Sequence, residues 1–222
     1  MRENFHQQLE HLKEQLVVMA LQVDRSVGDA VQAYLQNDLD LGQRVLGAEL
    51  EVDRMERDID RYALELLAME QPMAIDLRFI LAVMRINSDL ERVGDQASNI
   101  AERLHEVHRV ERVELPVDIS TLGFHARRML TLAMQAFREG NSGLADAVLG
   151  MDDEIDQLAR QAFSRLSQVI SEQPAVASQA LNALLVTRIL ERVADHATNI
   201  AEDVIFWQRA DDVRHNLHRP TE

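Results

Sequence analysis

The chain has 222 residues, with 38 acidic against 23 basic side chains and a formal charge of -15, a balance that repels a phosphate backbone and argues against direct nucleic-acid binding. It has no cysteine, which excludes disulfides and thiolate metal sites and leaves oxygen and imidazole as the only metal-ligand types. Aromatics make up only 4% of the chain, with 4 prolines and 8 glycines, so strand-forming material is scarce and helix formers dominate.

Six helices are predicted in chain order, and no sheet. The first covers about residues 4–36, with Leu9, Leu12, Leu16, Met19, Val23, Val27, Ala30, Val31 and Tyr34 at three-and-four spacing and Gly28 as a weak spot inside it. Asn37-Asp38-Leu39-Asp40 supplies N-cap candidates for a second helix, which runs to about residue 69 through Leu46, Leu50, Met55, Ile59, Leu64 and Leu67. Pro72 suits the first turn of a third helix reaching about residue 108. The pattern lapses around residues 109–118, where Pro116 intervenes, and then begins again. A fourth helix covers about residues 119–138 and stops at Gly140-Asn141-Ser142-Gly143, a fifth runs on to about residue 171, and Pro174 opens a sixth reaching about residue 209. The expected fold is all-α, two tandem antiparallel three-helix bundles over residues 1–111 and 116–213, with a frayed polar tail over residues 214–222. No stretch of ~18 uninterrupted apolar residues occurs and Met1-Arg2-Glu3-Asn4 runs straight into a charged amphipathic pattern, so a cytoplasmic protein without membrane insertion is expected.

The third and sixth helices carry one sequence twice. Glu91-Arg92-Val93-Gly94-Asp95-Gln96-Ala97-Ser98-Asn99-Ile100-Ala101-Glu102 reappears as Glu191-Arg192-Val193-Ala194-Asp195-His196-Ala197-Thr198-Asn199-Ile200-Ala201-Glu202. With Ala33-Tyr34 matching Ala136-Phe137 and Pro72 matching Pro174, the halves read as an internal duplication. Residues four apart share a helix face, so Glu91 with Asp95 and Glu191 with Asp195 are paired carboxylates. Such like-charge pairs destabilise an isolated helix by roughly 0.2–0.5 kcal/mol, and a local conflict kept in both copies points to a use. Glu49 and Asp53 in the second helix, and Asp152 and Asp156 in the fifth, form two further pairs. If the neighbouring stripes face one another, four carboxylates converge in each half, a density that demands raised pKa values or cations. Oxygen-only ligation suits Fe, Mn, Mg or Ca.

Other signals are weaker. Glu102-x-x-His105 has the form used in di-iron bundles, but Ile205 stands where the second copy needs its histidine. His196 reads as a surface or interface histidine and Trp207 as a packing anchor. No glycine-rich phosphate loop, nucleophile elbow or HExxH motif is found, so no catalytic residue is assigned.

The duplicated Glu-x-x-x-Asp helices, together with Gln71-Pro72-Met73-Ala74-Ile75-Asp76-Leu77-Arg78 leading into the first of them, resemble the PhoU family over nearly the whole chain. The resemblance implies multinuclear metal clusters at the motifs, with Glu91, Asp95, Glu191 and Asp195 as ligands. It further implies a homodimeric, non-enzymatic adaptor that negatively regulates the phosphate-starvation response by coupling a phosphate ABC transporter ATPase to a sensor histidine kinase. A carboxylate-bridged metalloenzyme and a purely structural helical scaffold are the alternatives. The Asp76-Leu77-Arg78 element has no counterpart after Pro174, where Ala175-Val176-Ala177-Ser178 stands, so a partner contact through it would belong to the first half alone. Asp76 equally suits a helix first turn on electrostatic grounds.

Overall fold

A computed structural model describes residues 2–108, 113–211 and 213. Among them the chain forms seven α-helices and no strand: α1 (Arg2–Gln36), α2 (Leu39–Glu70), α3 (Ile75–Val107), α4 (Ile119–Glu139), α5 (Ser142–Leu149), α6 (Asp152–Glu172) and α7 (Ala177–Arg209), with a 3-10 turn at Pro174–Val176 before α7. The all-α duplicated architecture matches the sequence expectation. The proposed tail at residues 214–222 lies outside the described residues.

The local stops and starts follow from side-chain chemistry. Asp38 accepts from the Leu41 N–H at 2.9 Å and caps α2; Asp118 accepts from the Thr121 N–H at 2.9 Å and caps α4. Each supplies an oxygen to a backbone donor that the helix itself leaves unpaired. Gly140 ends α4 in the left-handed region at φ 60°, a conformation that costs glycine little.

Three expectations need correction. The fifth predicted helix is two helices, broken at Gly150-Met151. The break delivers Asp152, Asp153 and Glu154 to the first turn of α6, where the helix dipole favours acidic groups that would repel one another mid-helix. Pro72 lies in the turn before α3 rather than in its first turn, because Gln71 (φ 45°) and Ala74 (φ 47°) both take left-handed backbone angles there. In α2 the buried positions include Leu41, Val45, Val52, Ile59, Ala63 and Leu66, whereas Leu50 and Leu64, read as part of the apolar stripe, are exposed. Apolar residues occur on more than one side of this helix, and tertiary packing chose the side carrying Val52.

The helices of each half pack against their chain neighbours, and the halves meet along α3 with α7 and along α1 with α4. Both pairs are antiparallel. On α3 and α7, Arg78 donates to the Trp207 carbonyl at 3.1 Å, Arg85 to Asp203 at 3.0 Å and Asn199 to Asp89 at 3.2 Å, so one number rises as the other falls. On α1 and α4, Arg127 grips Asp24 with two bonds of 3.0 and 2.7 Å. Gly28 explains itself here: a Cβ on it would lie 2.8 Å from the Arg127 guanidinium, so the weak spot in α1 is where a side chain of α4 lies flat across the helix.

One apolar core runs through both halves. Leu12, Leu16 and Met19 of α1, Leu90, Ile100 and Leu104 of α3, and Met129 of α4 are all fully buried within it. An aromatic cluster ties three helices together, with Phe137 stacked on Phe79 at 5.9 Å between centroids and tilted against Trp207 at 5.8 Å. The single tryptophan is thus the packing anchor it was read to be. Phe137→Ala should destabilise the protein by about 3–5 kcal/mol, measured by urea unfolding followed through Trp207 fluorescence; a loss below about 1 kcal/mol would show that this cluster is not part of the cooperative core.

Candidate metal centres

The first half brings its carboxylates together through a close approach of α2 and α3. A Cβ on Gly94 would sit 3.2 Å from a Val52 methyl, and Asn87 donates to the Glu56 carbonyl at 2.9 Å. These two contacts set the register and turn the Glu91 and Asp95 stripe toward Glu49, Asp53 and Glu56. All five side chains are half-buried. Burial raises the Glu91 pKa, with Asp95, Glu56 and Asp53 adding repulsion and Arg92 opposing. Asp95 is raised by burial and then by Glu49 and Asp53. Glu56 is raised by burial, Asp60 and Asp53. The second-helix pair read from the sequence therefore faces the motif pair, and Glu56 joins them.

The second half repeats the arrangement with α6 and α7. Burial raises the Asp195 pKa, followed by repulsion from Asp152, Glu191 and Asp156, while His196 lowers it. Asp152 is likewise raised by burial and by Asp156, against a lowering hydrogen bond from Thr198, whose hydroxyl donates at 3.3 Å. Asp195 remains exposed on its outer side, so solvent screens its share most. Two arginines partly neutralise this cluster: Arg160 pairs with Asp156 at 3.1 Å and Arg188 with Glu191 at 2.9 Å. In the first cluster no ion pair to Glu49, Asp53, Glu56, Glu91 or Asp95 occurs among the described residues.

All eight sequence-predicted carboxylates thus fall into two clusters of four. Their donor set, oxygen only, mutually repelling and half-buried except at Asp195, fits a hard divalent cation or iron in its chemistry. In this side-chain arrangement no three acidic or histidine groups among the described residues enclose a single point, so ligation would require the carboxylates to swing inward. Glu102 and His105 are both exposed at the end of α3, away from the core in which a di-iron site would be built.

Sequence reasoning missed a polar bridge between the halves. Asp89, buried on α3, lies 2.7 Å from His196 Nδ1 and accepts from Asn199 at 3.2 Å. The interface reading of His196 anticipated its location, and the change from Gln96 to His196 was the available signal. Its partner was invisible, since Asp89 falls outside the duplicated motif and Ile189 takes its place in the second copy. Arg78, whose role was open, also proves to be a bridge, since its bond to the Trp207 carbonyl closes the C-terminal turn of α7.

Folding raises the pKa values of Glu56, Glu91, Asp95, Asp152 and Asp195 above the ordinary carboxylate range near about 4. The folded chain therefore holds protons the unfolded chain has lost, and stability is greatest below that range and declines as pH rises through the raised values. Metal-free protein should resist urea better at about pH 5 than at about pH 7, and Asp95→Asn should recover up to about 1 kcal/mol at the higher pH with a smaller gain at the lower. A substitution that weakens the protein equally at both would show that repulsion does not govern this site.

Comparison with known proteins places this geometry. The PhoU domain family model matches residues 16–104 and 119–204, once per half. The phosphate-specific transport system accessory protein PhoU homolog of Pseudomonas aeruginosa is 36% identical over 216 residues, covering 96% of this chain and 88% of that protein. The crystal structure of PhoU from the same organism superposes with a TM-score of 0.90 at 35% identity, covering 93% of this chain and 100% of that one. PhoU from Streptococcus pneumoniae, at 23% identity over 94% of this chain and 99% of that one, shares the fold with a TM-score of 0.84. With two matches that follow the duplication and relatives aligned along nearly its full length, the chain belongs to the PhoU family.

Proposed function

We propose that this protein is an accessory component of phosphate transport that acts as a regulatory adaptor, restraining the phosphate-starvation response when phosphate is plentiful. In this reading it works in the cytoplasm as a homodimer, meeting a phosphate ABC transporter ATPase and a sensor histidine kinase. The relatives' names describe an accessory protein of a phosphate-specific transport system, which supports the coarse role and a non-enzymatic one. No helix among the described residues is long and apolar enough to cross a membrane, which suits docking on a membrane partner from one side.

The observation that carries the cation part of the proposal is the twofold convergence of four carboxylates, among which Glu91 and Asp95 in the first half and Asp152 and Asp195 in the second gain proton affinity on folding. Glu91, Asp95, Glu49 and Asp53 would hold cations in the first half, and Glu191, Asp195, Asp152 and Asp156 in the second. A bound cation would supply the positive charge that each crowded stripe lacks. The side chains' own part is to present oxygens from two rigid helices, with Thr198 orienting Asp152 by its hydrogen bond.

Two measurements test the two parts separately. Purified protein should carry Fe, Mn, Mg or Ca, and a Glu91→Ala/Glu191→Ala double variant should lose most of it; equal metal in both would sink the ligand assignment. Deleting the gene should switch on a phosphate-starvation reporter in phosphate-rich medium, and a silent reporter would sink the regulatory reading whatever the metal content.

A further inference from the structure

The turn joining α2 to α3 leaves a run of large apolar side chains in solvent. Met69 (79% exposed), Met73 (78%), Ile75 (48%) and Leu77 (38%) follow one another closely along the chain. A lone exposed apolar residue is ordinary on a protein surface, whereas several together mark a place where another surface docks.

The backbone that presents them is strained. Gln71 takes φ 45°, and Ala74 takes φ 47° with ψ -106°, angles that a residue with a Cβ rarely adopts. Strain of this kind persists only where the surrounding structure fixes it, and it gathers at ligand clamps. The fixing contacts lie just beyond the turn, where Arg78 donates to the Trp207 carbonyl at 3.1 Å and Phe79 stacks on Phe137 at 5.9 Å. The start of α3 is thus anchored to the second half while Met73 and Ile75 stay uncovered. The second half has no such patch. Counted from Pro174, Ala175 and Ala177 take the places of Met73 and Ile75, and Pro174–Val176 is a 3-10 turn without a positive φ.

The charge around the patch indicates what covers it. Between Arg61 and Arg78 the chain carries Glu65, Glu70 and Asp76 and no basic residue, and no ion pair engages any of the three among the described residues. An acidic rim is repelled by the anionic headgroups of a membrane, and two copies of the patch face to face would set like charges opposite one another. Apolar side chains flanked by Lys or Arg complement it. Methionine, unbranched and polarizable, suits such a surface because it adapts to the shape of a helix laid across it.

We propose that the α2–α3 turn is the docking surface for a basic amphipathic segment of a partner protein, with Met69, Met73, Ile75 and Leu77 taking its apolar face and the acidic rim its Lys or Arg. The inference rests on the adaptor reading above and gives it one partner surface, in the first half alone.

The probe is a fluorescently labelled peptide of Leu and Lys at amphipathic helical spacing, with a control peptide of equal charge in which every Leu is Gln; binding to the full-length protein is read by anisotropy. Met69→Gln/Met73→Gln should weaken binding of the Leu/Lys peptide about tenfold. Glu65→Gln/Glu70→Gln should weaken it and flatten its salt dependence, and Ala175→Gln in the second half should leave it unchanged. Helical circular dichroism checks that each variant folds. Unchanged affinity in Met69→Gln/Met73→Gln, or equally tight binding of the Gln control peptide, would overturn the proposal. Binding to phosphatidylglycerol vesicles that this variant abolishes would assign the patch to a membrane instead, and a dimer that dissociates in the variant would assign it to a second copy. Returning each chain to the deletion strain separates this surface from the adaptor reading. Wild type should silence the phosphate-starvation reporter and Met69→Gln/Met73→Gln should leave it on. A variant that silences it fully sinks the docking surface alone, and a wild-type chain that cannot silence it sinks the adaptor reading and this inference with it.

Discussion

The structure depends on apolar seams that force acidic stripes together. Leu90, Val93, Ala97, Ile100 and Leu104 on α3 are fully buried, and burying each of the larger ones contributes about 1.5–3 kcal/mol. Repulsion between half-solvated carboxylates is weaker per pair, so packing wins and the charges are held facing one another across α2 and α3. The same contest is settled the same way on α6 and α7, where Val193, Ala197 and Ile200 are buried beside Glu191 and Asp195. A helix pair built this way is strained electrostatically and rigid mechanically, a combination suited to holding a cation at a surface.

The two halves are duplicated in pattern and unequal in chemistry. The first stripe continues through Glu56 and Asp60, and among the described residues no arginine pairs with Glu49, Asp53, Glu56, Glu91 or Asp95. The second is cut short by Ala159 and Phe163 and neutralised in part by Arg160 and Arg188. Divergence after duplication has thus changed the charge at the edges of the site while the Glu-x-x-x-Asp centre stayed the same.

The halves also communicate physically through α3 and α7. Asp89 reaches His196, the residue after Asp195, and Arg85 pairs with Asp203 while lying 5.1 Å from the Phe206 ring. Arg78 and the Phe79–Phe137–Trp207 cluster fasten the far end of the same seam. A shift of either motif helix along its axis would break these contacts together, so the positions of the two carboxylate clusters are coupled by packing.

Composition and periodicity were enough to read the helical class, the duplication, a cap for α2 within Asn37-Asp38-Leu39-Asp40 and the eight paired carboxylates, because each depends on a pattern in the sequence itself. The buried side of α1 was legible for the same reason, since its stripe is continuous from Leu9 to Tyr34. Tertiary structure alone decided which side of α2 faces inward, that Glu56 joins the first cluster and that Asp89 meets His196. Those facts depend on the rotation and register of one helix against another, set by contacts such as Val52 with Gly94 between positions far apart in the chain. Local sequence carries no record of that rotation, and the break at Gly150-Met151 was missed because the apolar pattern runs across it.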